Sequence, residues 1–292
     1  MINKSQLQKN AFPIMDSEIV NFINKVSTDS EIVNILRNAD LKDIFLDNYL
    51  NWISNTSLNK INGLNKFKYK SYIHGTIQGF DMFYSEFNSR TFRFFTGEFI
   101  YHKLCARNNY KFKYIDDDIT IDENDAVIVS LPFADSGNEH EKMEELMTEC
   151  NKKKVPVLVD LAYINLAEDL NINLNYNCIH TVTLSLSKGF YSLDRLRVGM
   201  RLKREFNDDP IDVFNSIGMV NLFGIYIGNK LINEYSPDFL CNKYKSKQHE
   251  ICNELGIKAS KSVIFGIGND EYLDYNRGGE FNRIGLSDLL SE

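Results

Sequence analysis

The residue of this chain best suited to chemistry is a lysine that stands beside two hydroxyl side chains at the end of an apolar run. Lys188 follows Ser185 and Ser187, which come directly after the run 181–184, and Arg197 lies nine residues further on. The end of a buried strand is an unfavourable place for an amine unless that amine reacts or meets a charge. An amine surrounded by hydroxyls and a guanidinium suits the covalent capture of an aldehyde that carries a phosphate.

Polar residues also follow other apolar runs. Asp160 comes directly after the run 155–159, and Gly75 and Thr76 come after the run 69–73 and open a helix. The free N–H groups and the dipole at the start of a helix favour a phosphate. In open α/β sheets, ligands bind beyond the carboxyl ends of the strands. We therefore expect these residues to share one site with Lys188.

The alternation of apolar runs with helical periodicity predicts the elements that position this site. Strands are predicted at 69–73, 91–95, 111–115, 126–131, 155–159, 179–184 and 198–202, the last of them antiparallel to its predecessor. Helices are predicted from residue 17, at 31–37, 45–53, 76–87, 98–107 and 140–152, as one long stretch after Pro210 and at 239–255, with short strands at 262–266 and 281–286. This order predicts an α/β fold with a mainly parallel seven-stranded sheet flanked by helices.

The same pattern divides the chain into three parts. Residues 1–65 are expected to form an N-terminal helical segment, 66–205 a large α/β domain, and 206–292 an interdomain helix with a reduced C-terminal α+β domain. A net charge of −7 argues against a nucleic-acid partner. No run is apolar enough for a signal peptide or a membrane span, so a cytoplasmic enzyme is expected. The five cysteines are scattered, and neither a metal site nor a disulfide is expected.

Three motifs together resemble those of the fold type I pyridoxal 5'-phosphate (PLP) enzymes, the aspartate aminotransferase superfamily. They are Asp-Leu-Ala-Tyr at 160–163, Ser-Leu-Ser-Lys at 185–188 and Arg-Val-Gly at 197–199, in the family's order and approximate spacing. The resemblance runs from about Gly75 to Gly199 and more faintly to the C-terminus. It implies PLP as cofactor, an amino acid or keto acid as substrate, and a homodimer with active sites at the subunit interface.

The resemblance also implies a role for each residue of the motifs. Lys188 would form a Schiff base with PLP and act as general base and acid at the substrate α-carbon. Asp160 would pair with the protonated pyridine nitrogen, and Tyr163 would donate to the cofactor's phenolate oxygen. Phe99 would stack on the ring, and Arg283, near the chain end, would hold the substrate α-carboxylate.

The phosphate group of PLP would be held at the start of the helix that directly follows Gly75. Its ligands would be the N–H groups of Thr76 and Ile77, the hydroxyls of Thr76, Ser185 and Ser187, and the guanidinium of Arg197, with Arg195 as a competitor for that place. Each single residue also has an ordinary alternative. These are a surface lysine for Lys188, a helix cap for Asp160, one tyrosine among fifteen for Tyr163, core packing for Phe99 and an intramolecular salt bridge for Arg283.

The chain departs from the family pattern in one motif and in length. Ala134 stands where the family has the asparagine of Asn-Pro-Thr-Gly, with Asp135 as a possible shifted substitute. The chain is also an unusually short member. The leading hypothesis is an aminotransferase. The alternatives are a PLP-dependent lyase, decarboxylase or cyclase acting on an amino acid, or a non-catalytic descendant of the fold.

Overall fold

The computed structural model describes residues 2, 4–30, 32–106, 108–115, 118–190 and 192–291. The N-terminal helices are α1 (Ser17–Ser27), α2 (Ile32–Ile35) and α3 (Leu41–Ser54). Helix α1 begins after Asp16, whose carboxylate accepts the N–H of Ile19 at 2.9 Å, as expected for an acidic N-cap. The predicted helix ends at Glu31 and Arg107 lie outside the described residues.

The strands of the described residues form one large and two small sheets. The strands are β1 (Lys60–Asn62), β2 (Tyr69–Ile73), β3 (Thr91–Phe95), β4 (Phe112–Ile115), β5 (Asp125–Ser130), β6 (Val157–Asp160), β7 (Asn171–Asn173), β8 (Ile179–Ser185), β9 (Gly199–Lys203), β10 (Lys258–Ala259), β11 (Phe265–Gly268) and β12 (Asn282–Gly285). The large sheet has the order β2-β9-β8-β6-β5-β3-β4. The predicted seven-stranded, mainly parallel sheet is therefore confirmed.

Only β9 runs against the other strands of the large sheet. It pairs antiparallel with both β2 and β8, whereas β8, β6, β5, β3 and β4 pair in parallel. The central strands β5 and β6 are buried on both faces, as their apolar sequences require. The carboxyl ends of the parallel strands consequently meet at one edge, which also receives the amino end of β9.

The remaining helices are α4 (Thr76–Glu86), α5 (Met143–Lys153), α6 (Leu193–Leu196), α7 (Pro210–Ser216), α8 (Leu222–Glu234), α9 (Phe239–Leu255) and α10 (Ser287–Leu290). Short 3-10 helices span Lys4–Gln6, Leu64–Lys66, Ile100–Ala106, Ile164–Leu166 and Asp270–Tyr275. Two predictions were wrong in detail. The helix expected from Glu98 is the 3-10 helix from Ile100, and the long stretch after Pro210 is broken in two around Gly218, which has a φ of +74°.

The small sheets join distant parts of the chain. Strand β1 pairs in parallel with β7, which contradicts the expectation of only helix and loop before residue 66. Strands β10, β11 and β12 form an antiparallel sheet, a few residues displaced from the two predicted short strands. The backbone of Gln8 exchanges two hydrogen bonds with Gly285, so the N-terminal segment lies along this C-terminal sheet.

Helix α3 packs against α8, and the apolar core is continuous from these helices through the sheet to α9. The three-part division at residues 65 and 205 stays a prediction. None of the helices in the described part of the chain combines the length and apolarity that a membrane crossing needs.

Candidate active site at the carboxyl edge of the sheet

The predicted site residues converge on one pocket at the carboxyl edge of the large sheet. The pocket is lined by Thr76, Ile77, Phe99, Ser130, Ala134, Asp160, Ala162, Tyr163, Ser185, Ser187, Lys188 and Arg197. These residues come from the ends of β2, β5, β6 and β8, from the loop after β3 and from the turn before β9. The sheet therefore unites residues that are up to 121 positions apart in the sequence.

Lys188 lies just beyond β8, and its amine reaches the N-terminal segment. Its Nζ atom donates to the backbone carbonyl of Ala11 at 2.8 Å. The neighbouring hydroxyls are buried: Ser185 accepts the N–H of Ser187 at 3.1 Å, while the Ser187 Oγ has no hydrogen-bond partner among the described residues. A buried hydroxyl without a partner is costly, so this oxygen is available for a ligand in the pocket.

Asp160, the last residue of β6, is 7% exposed. Its Oδ1 atom accepts the hydroxyl of Thr183 from β8 at 2.9 Å, and no cationic side chain of the described residues forms an ion pair with it. Burial raises the pKa of Asp160 to about 7, an effect that the Thr183 hydrogen bond opposes and the nearby Glu98 carboxyl reinforces. A positively charged N–H group in the pocket would supply the missing partner.

One end of the pocket is built from Gly75, the start of α4 and Arg197. Gly75 has a φ of +79° and precedes Thr76, the first residue of α4. The first-turn N–H groups of Thr76 and Ile77 have no acceptor within the helix. A Cβ on residue 75 would lie 2.9 Å from the guanidinium carbon of Arg197, so glycine is required for this close approach.

The structure places the two competing arginines differently. Arg197 adopts a left-handed conformation (φ 59°), its carbonyl accepts the Tyr72 hydroxyl at 2.7 Å, and its side chain lines the pocket. The side chain of Arg195 is 87% exposed and lies 3.3 Å from Asp194. Of the two, Arg197 lines the pocket and Arg195 is not among its lining residues.

Two aromatic residues line the pocket. Phe99 comes from the loop after β3 and contacts the rings of Phe80 and Tyr101. It therefore packs against other aromatic side chains and lines the pocket as well. Tyr163 lies three residues after Asp160, and its ring packs edge-on against that of Phe265, with 5.6 Å between the ring centroids.

Arg283 lies beside the pocket but does not line it. It is 1% exposed on β12, and its guanidinium lies 4.0 Å above the ring of Phe265. The guanidinium donates to the carbonyls of Ala134 and Lys9, while its Nε has no partner among the described residues. Burial lowers the pKa of Arg283 to about 10, and Tyr163 is close enough to oppose this shift.

Ala134 lines the pocket at the place of the absent asparagine, but Asp135 does not replace that residue. Asp135 is fully buried away from the pocket, where its Oδ2 accepts the N–H of Phe281 at 2.9 Å. A Cβ on Gly97 would come within 2.6 Å of its carboxyl carbon. The suggestion that Asp135 serves as a shifted substitute is therefore wrong, because the chain packs this carboxyl against its C-terminal part.

Several residues at the site carried no recognisable signal in the sequence. Glu98 is buried next to Phe99 and accepts both the N–H and the hydroxyl of Ser130. Thr183 sits inside an apolar run, and Ala11 contributes only a backbone carbonyl. A motif search finds side chains in a familiar order, and it cannot find a backbone contact made by a distant segment.

This arrangement of strands and helices occurs in solved structures of aminotransferases. A putative aminotransferase from Burkholderia pseudomallei K96243 is 16% identical and aligns over 94% of this chain and 91% of its own, with a TM-score of 0.59. A PLP-bound putative aminotransferase from Clostridium difficile 630 is 13% identical over 88% and 84%, with a TM-score of 0.64. The chain has the aminotransferase fold.

The same fold is found in an enzyme of another reaction class. A putative PLP-dependent β-cystathionase from Corynebacterium diphtheriae is 12% identical over 95% of this chain and 88% of its own, with a TM-score of 0.63. No family model and no curated protein matches the sequence. The fold expected from the three motifs is thus confirmed, while the activity has to be argued from the site itself.

Proposed function

We propose that this protein is a PLP-dependent aminotransferase that acts on an amino acid and holds its cofactor through Lys188. The observation that carries the proposal is the pocket in which Lys188, Asp160 and Arg197 meet beside the start of α4. An amine, a buried carboxylate and an anion site are the groups that the aldehyde, the ring nitrogen and the phosphate of PLP require. The fold shared with a PLP-bound aminotransferase supports the same cofactor.

The residues present fit PLP on three independent observations. The buried Ser187 hydroxyl lacks a partner among the described residues, and Asp160 lacks a cation within that same part of the chain. The Arg197 guanidinium occupies the space beside Gly75 that any larger residue would fill. Each feature is unfavourable or unexplained in the free protein and becomes favourable when a phosphate and a protonated ring nitrogen are bound.

Within this proposal each residue has one task. Lys188 would leave the Ala11 carbonyl to hold the cofactor covalently through Nζ, and once the substrate amine has displaced it, the freed amine would move a proton at the substrate α-carbon. Asp160 keeps a proton on the ring nitrogen, and Arg197 holds the phosphate with the N–H groups of Thr76 and Ile77. Bound PLP supplies the electron sink for negative charge that develops at the α-carbon.

Substrate orientation is proposed to depend on Arg283 and Tyr163. Arg283 holds the substrate carboxylate once the Lys9 carbonyl, at 3.4 Å, gives way to it. Tyr163 donates to the phenolate oxygen of the cofactor, alone in this task because Ala134 has no donor in its side chain. Retention of a carboxylate-binding arginine favours transamination over loss of the carboxyl group.

A PLP-dependent lyase is the second candidate, since the fold is shared with the β-cystathionase. The same lysine and electron sink serve both reactions, and the outcome depends on which bond of the substrate lies perpendicular to the ring. The deciding experiment mixes the PLP-loaded protein with single amino acids and follows the absorbance spectrum. Conversion of the cofactor to its pyridoxamine form with release of a keto acid supports the aminotransferase. Ammonia or thiol release without that form supports the lyase, and the absence of any reaction with a bound cofactor supports a non-catalytic descendant.

We also propose that the protein forms a homodimer in the cytoplasm. The segment 213–219 after β9 exposes the apolar side chains of Val213, Phe214, Ile217 and Met219, each between 41% and 62%. Clustered exposed apolar side chains are typical of a protein interface. Light scattering on the purified protein should give twice the chain mass, and Phe214→Glu should shift it toward the monomer. A monomeric wild type at micromolar concentration contradicts this part of the proposal.

A further inference from the structure

Glu98 is a buried carboxyl group at the pocket edge to which the motifs assign no role. It lies between Gly97 and Phe99 and is 6% exposed. Its Oε1 accepts the N–H of Ser130 at 2.8 Å, and its Oε2 accepts the Ser130 hydroxyl at 2.7 Å and the N–H of Phe99 at 3.2 Å. Both oxygens are thus fixed by donors on β5 and on the loop after β3.

The sheet brings this carboxyl close to Asp160. Ser130, which Glu98 holds, is the register partner of Asp160 across the parallel pair β5–β6. Burial raises the pKa of both acids to about 7, and the Glu98 carboxyl adds to this rise at Asp160. The two acids therefore lie close together, with Asp160 in the lining of the pocket and Glu98 outside it.

The groups around the pair leave it without a direct cationic partner. Within the described part of the chain, neither acid forms an ion pair with a lysine, arginine or histidine. The charged or titratable groups that face the pair are Arg277 from the loop before β12, Tyr84 on α4 and Tyr49 on α3. Arg277 lowers the pKa of Glu98 from a distance, whereas the two tyrosines supply no positive charge. A pair of buried carboxyl groups in such surroundings attracts a cation placed in the pocket.

We propose that Glu98 is a positioning residue that acts through Asp160: the two carboxyl groups together favour binding of a protonated ring nitrogen in the pocket. The inference rests on the proposed function, because it names a further residue of the PLP site. Glu98 does not line the pocket, so its effect on the ring is electrostatic. It acts through Asp160, whose neighbour on β5, Ser130, is hydrogen-bonded to Glu98. Its hydrogen bond to Phe99 has a second effect, since it also fixes the ring predicted to stack on the cofactor.

These two effects separate when the ring nitrogen is removed. A charge effect of Glu98 requires a nitrogen that can carry a proton, whereas a steric effect on Phe99 or Ser130 does not. The probe is therefore PLP compared with 1-deazapyridoxal 5'-phosphate, which has the same shape, aldehyde and phosphate but a carbon in place of the ring nitrogen. The ratio of the two dissociation constants reports the contribution of the nitrogen alone.

The experiment measures both dissociation constants by absorbance titration for the wild type, Glu98→Gln and Glu98→Asp. Loss of the Glu98 charge, which acts on Asp160, is expected to weaken PLP binding by roughly tenfold in Glu98→Gln. The affinity for the deaza analogue should stay within about threefold, the effect of one neutral hydrogen bond. Glu98→Asp keeps the charge, so its ratio of the two constants should remain that of the wild type.

Each other result contradicts the inference in a recognisable way. Equal weakening of PLP and analogue in Glu98→Gln means that the residue only supports the fold of the pocket. Unchanged binding of both means that Glu98 does not act on the ring. If Glu98→Gln does not fold, a fall of the ratio in Glu98→Asp contradicts the inference equally well. A wild type that binds neither compound contradicts the proposed function itself, which is a distinct outcome.

Discussion

Gly75 and Arg197 fit together so closely that a Cβ on residue 75 would lie 2.9 Å from the guanidinium carbon. The glycine is also needed for its positive φ of +79°. These two requirements place the arginine over the first turn of α4, where free N–H groups face the pocket. The contact thus joins the turn after β2 to the turn before β9 at the end of the pocket that we assign to phosphate.

The first prediction uses this contact. Gly75→Ala should displace the Arg197 guanidinium and weaken PLP binding by at least about tenfold, the scale of a lost charge-assisted hydrogen bond. Gly218→Ala is the matched control, because Gly218 has a similar φ of +74° and no atom within 4 Å of the added Cβ. Gly75→Ala should also lose about 1–3 kcal/mol of stability, because a φ of +79° with a ψ of 169° lies in a region that is essentially restricted to glycine. Equal PLP affinities in the two variants would rule out the role of the contact.

The second prediction separates the two arginines. Arg197→Gln removes the guanidinium that lines the pocket and should weaken PLP binding by about ten- to a hundredfold. Arg195→Gln should leave the affinity unchanged, because its side chain is 87% exposed and its Nε lies 3.3 Å from Asp194. Fluorescence or absorbance titration of both variants checks this. A larger loss in the Arg195 variant would reverse the assignment.

The third prediction concerns the hydroxyl that holds Asp160. Thr183→Val removes its 2.9 Å hydrogen bond to the carboxylate and keeps the shape of the side chain. Because this bond favours the ionised acid, PLP binding should weaken by about fivefold, corresponding to about 1 kcal/mol. Thr181→Val on the same strand, whose hydroxyl meets His180 instead, should have no such effect. Matching losses in the two variants would mean that the strand, rather than the hydroxyl, matters.

The fourth prediction follows the pKa of Asp160 in the protein without cofactor. Burial raises this pKa to about 7 from 3.8, so between these values the folded state binds a proton that the unfolded state does not. The contribution to stability is therefore present below pH 4 and is lost as the pH rises through 7. The Asp160→Asn variant has no such carboxyl group. Its free energy of unfolding should therefore increase relative to that of the wild type as the pH rises from 5.5 to 8.

The comparison of variant with wild type is needed because histidines act in the opposite direction. Burial lowers the pKa of His74, His102 and His140, so these residues destabilise the folded state as the pH falls through 6.5. Their contribution is common to both proteins and cancels in the difference. Urea denaturation at several pH values measures this difference, which should change by at most about 1.4 kcal/mol per pH unit. A difference that stays constant with pH would show that Asp160 is already ionised.

The sequence predicted those parts of the fold that depend on local patterns. The large sheet was predictable because strands such as β5 and β6 are continuous apolar runs, and Asp160 and Lys188 were recognisable because each follows such a run. The pairing of β1 with β7 was not, since both are three-residue strands with polar ends, Lys-Ile-Asn and Asn-Ile-Asn. Their pairing depends on a contact between two segments that are more than a hundred residues apart in the sequence.

The candidate site shows the same limit. Spacing within the motifs predicted Tyr163 and Arg197 as site residues, with Arg195 as a competitor, but it could not show that the N-terminal segment reaches Lys188 through the Ala11 carbonyl. Nor could it distinguish Ala134, which faces the pocket, from Asp135, which is packed away from it. Such differences arise from tertiary packing, which local periodicity does not record.

The central claim is that Lys188 is the covalent anchor of PLP. The most direct measurement is to incubate the protein with PLP, reduce it with borohydride, digest it and locate the phosphopyridoxyl group by mass spectrometry, with Lys188→Ala as control. Our account predicts one modified lysine per chain, Lys188, and no modification at substoichiometric PLP in the Lys188→Ala protein. Modification of a different lysine, or labelling spread over surface lysines and unchanged in Lys188→Ala, would contradict it.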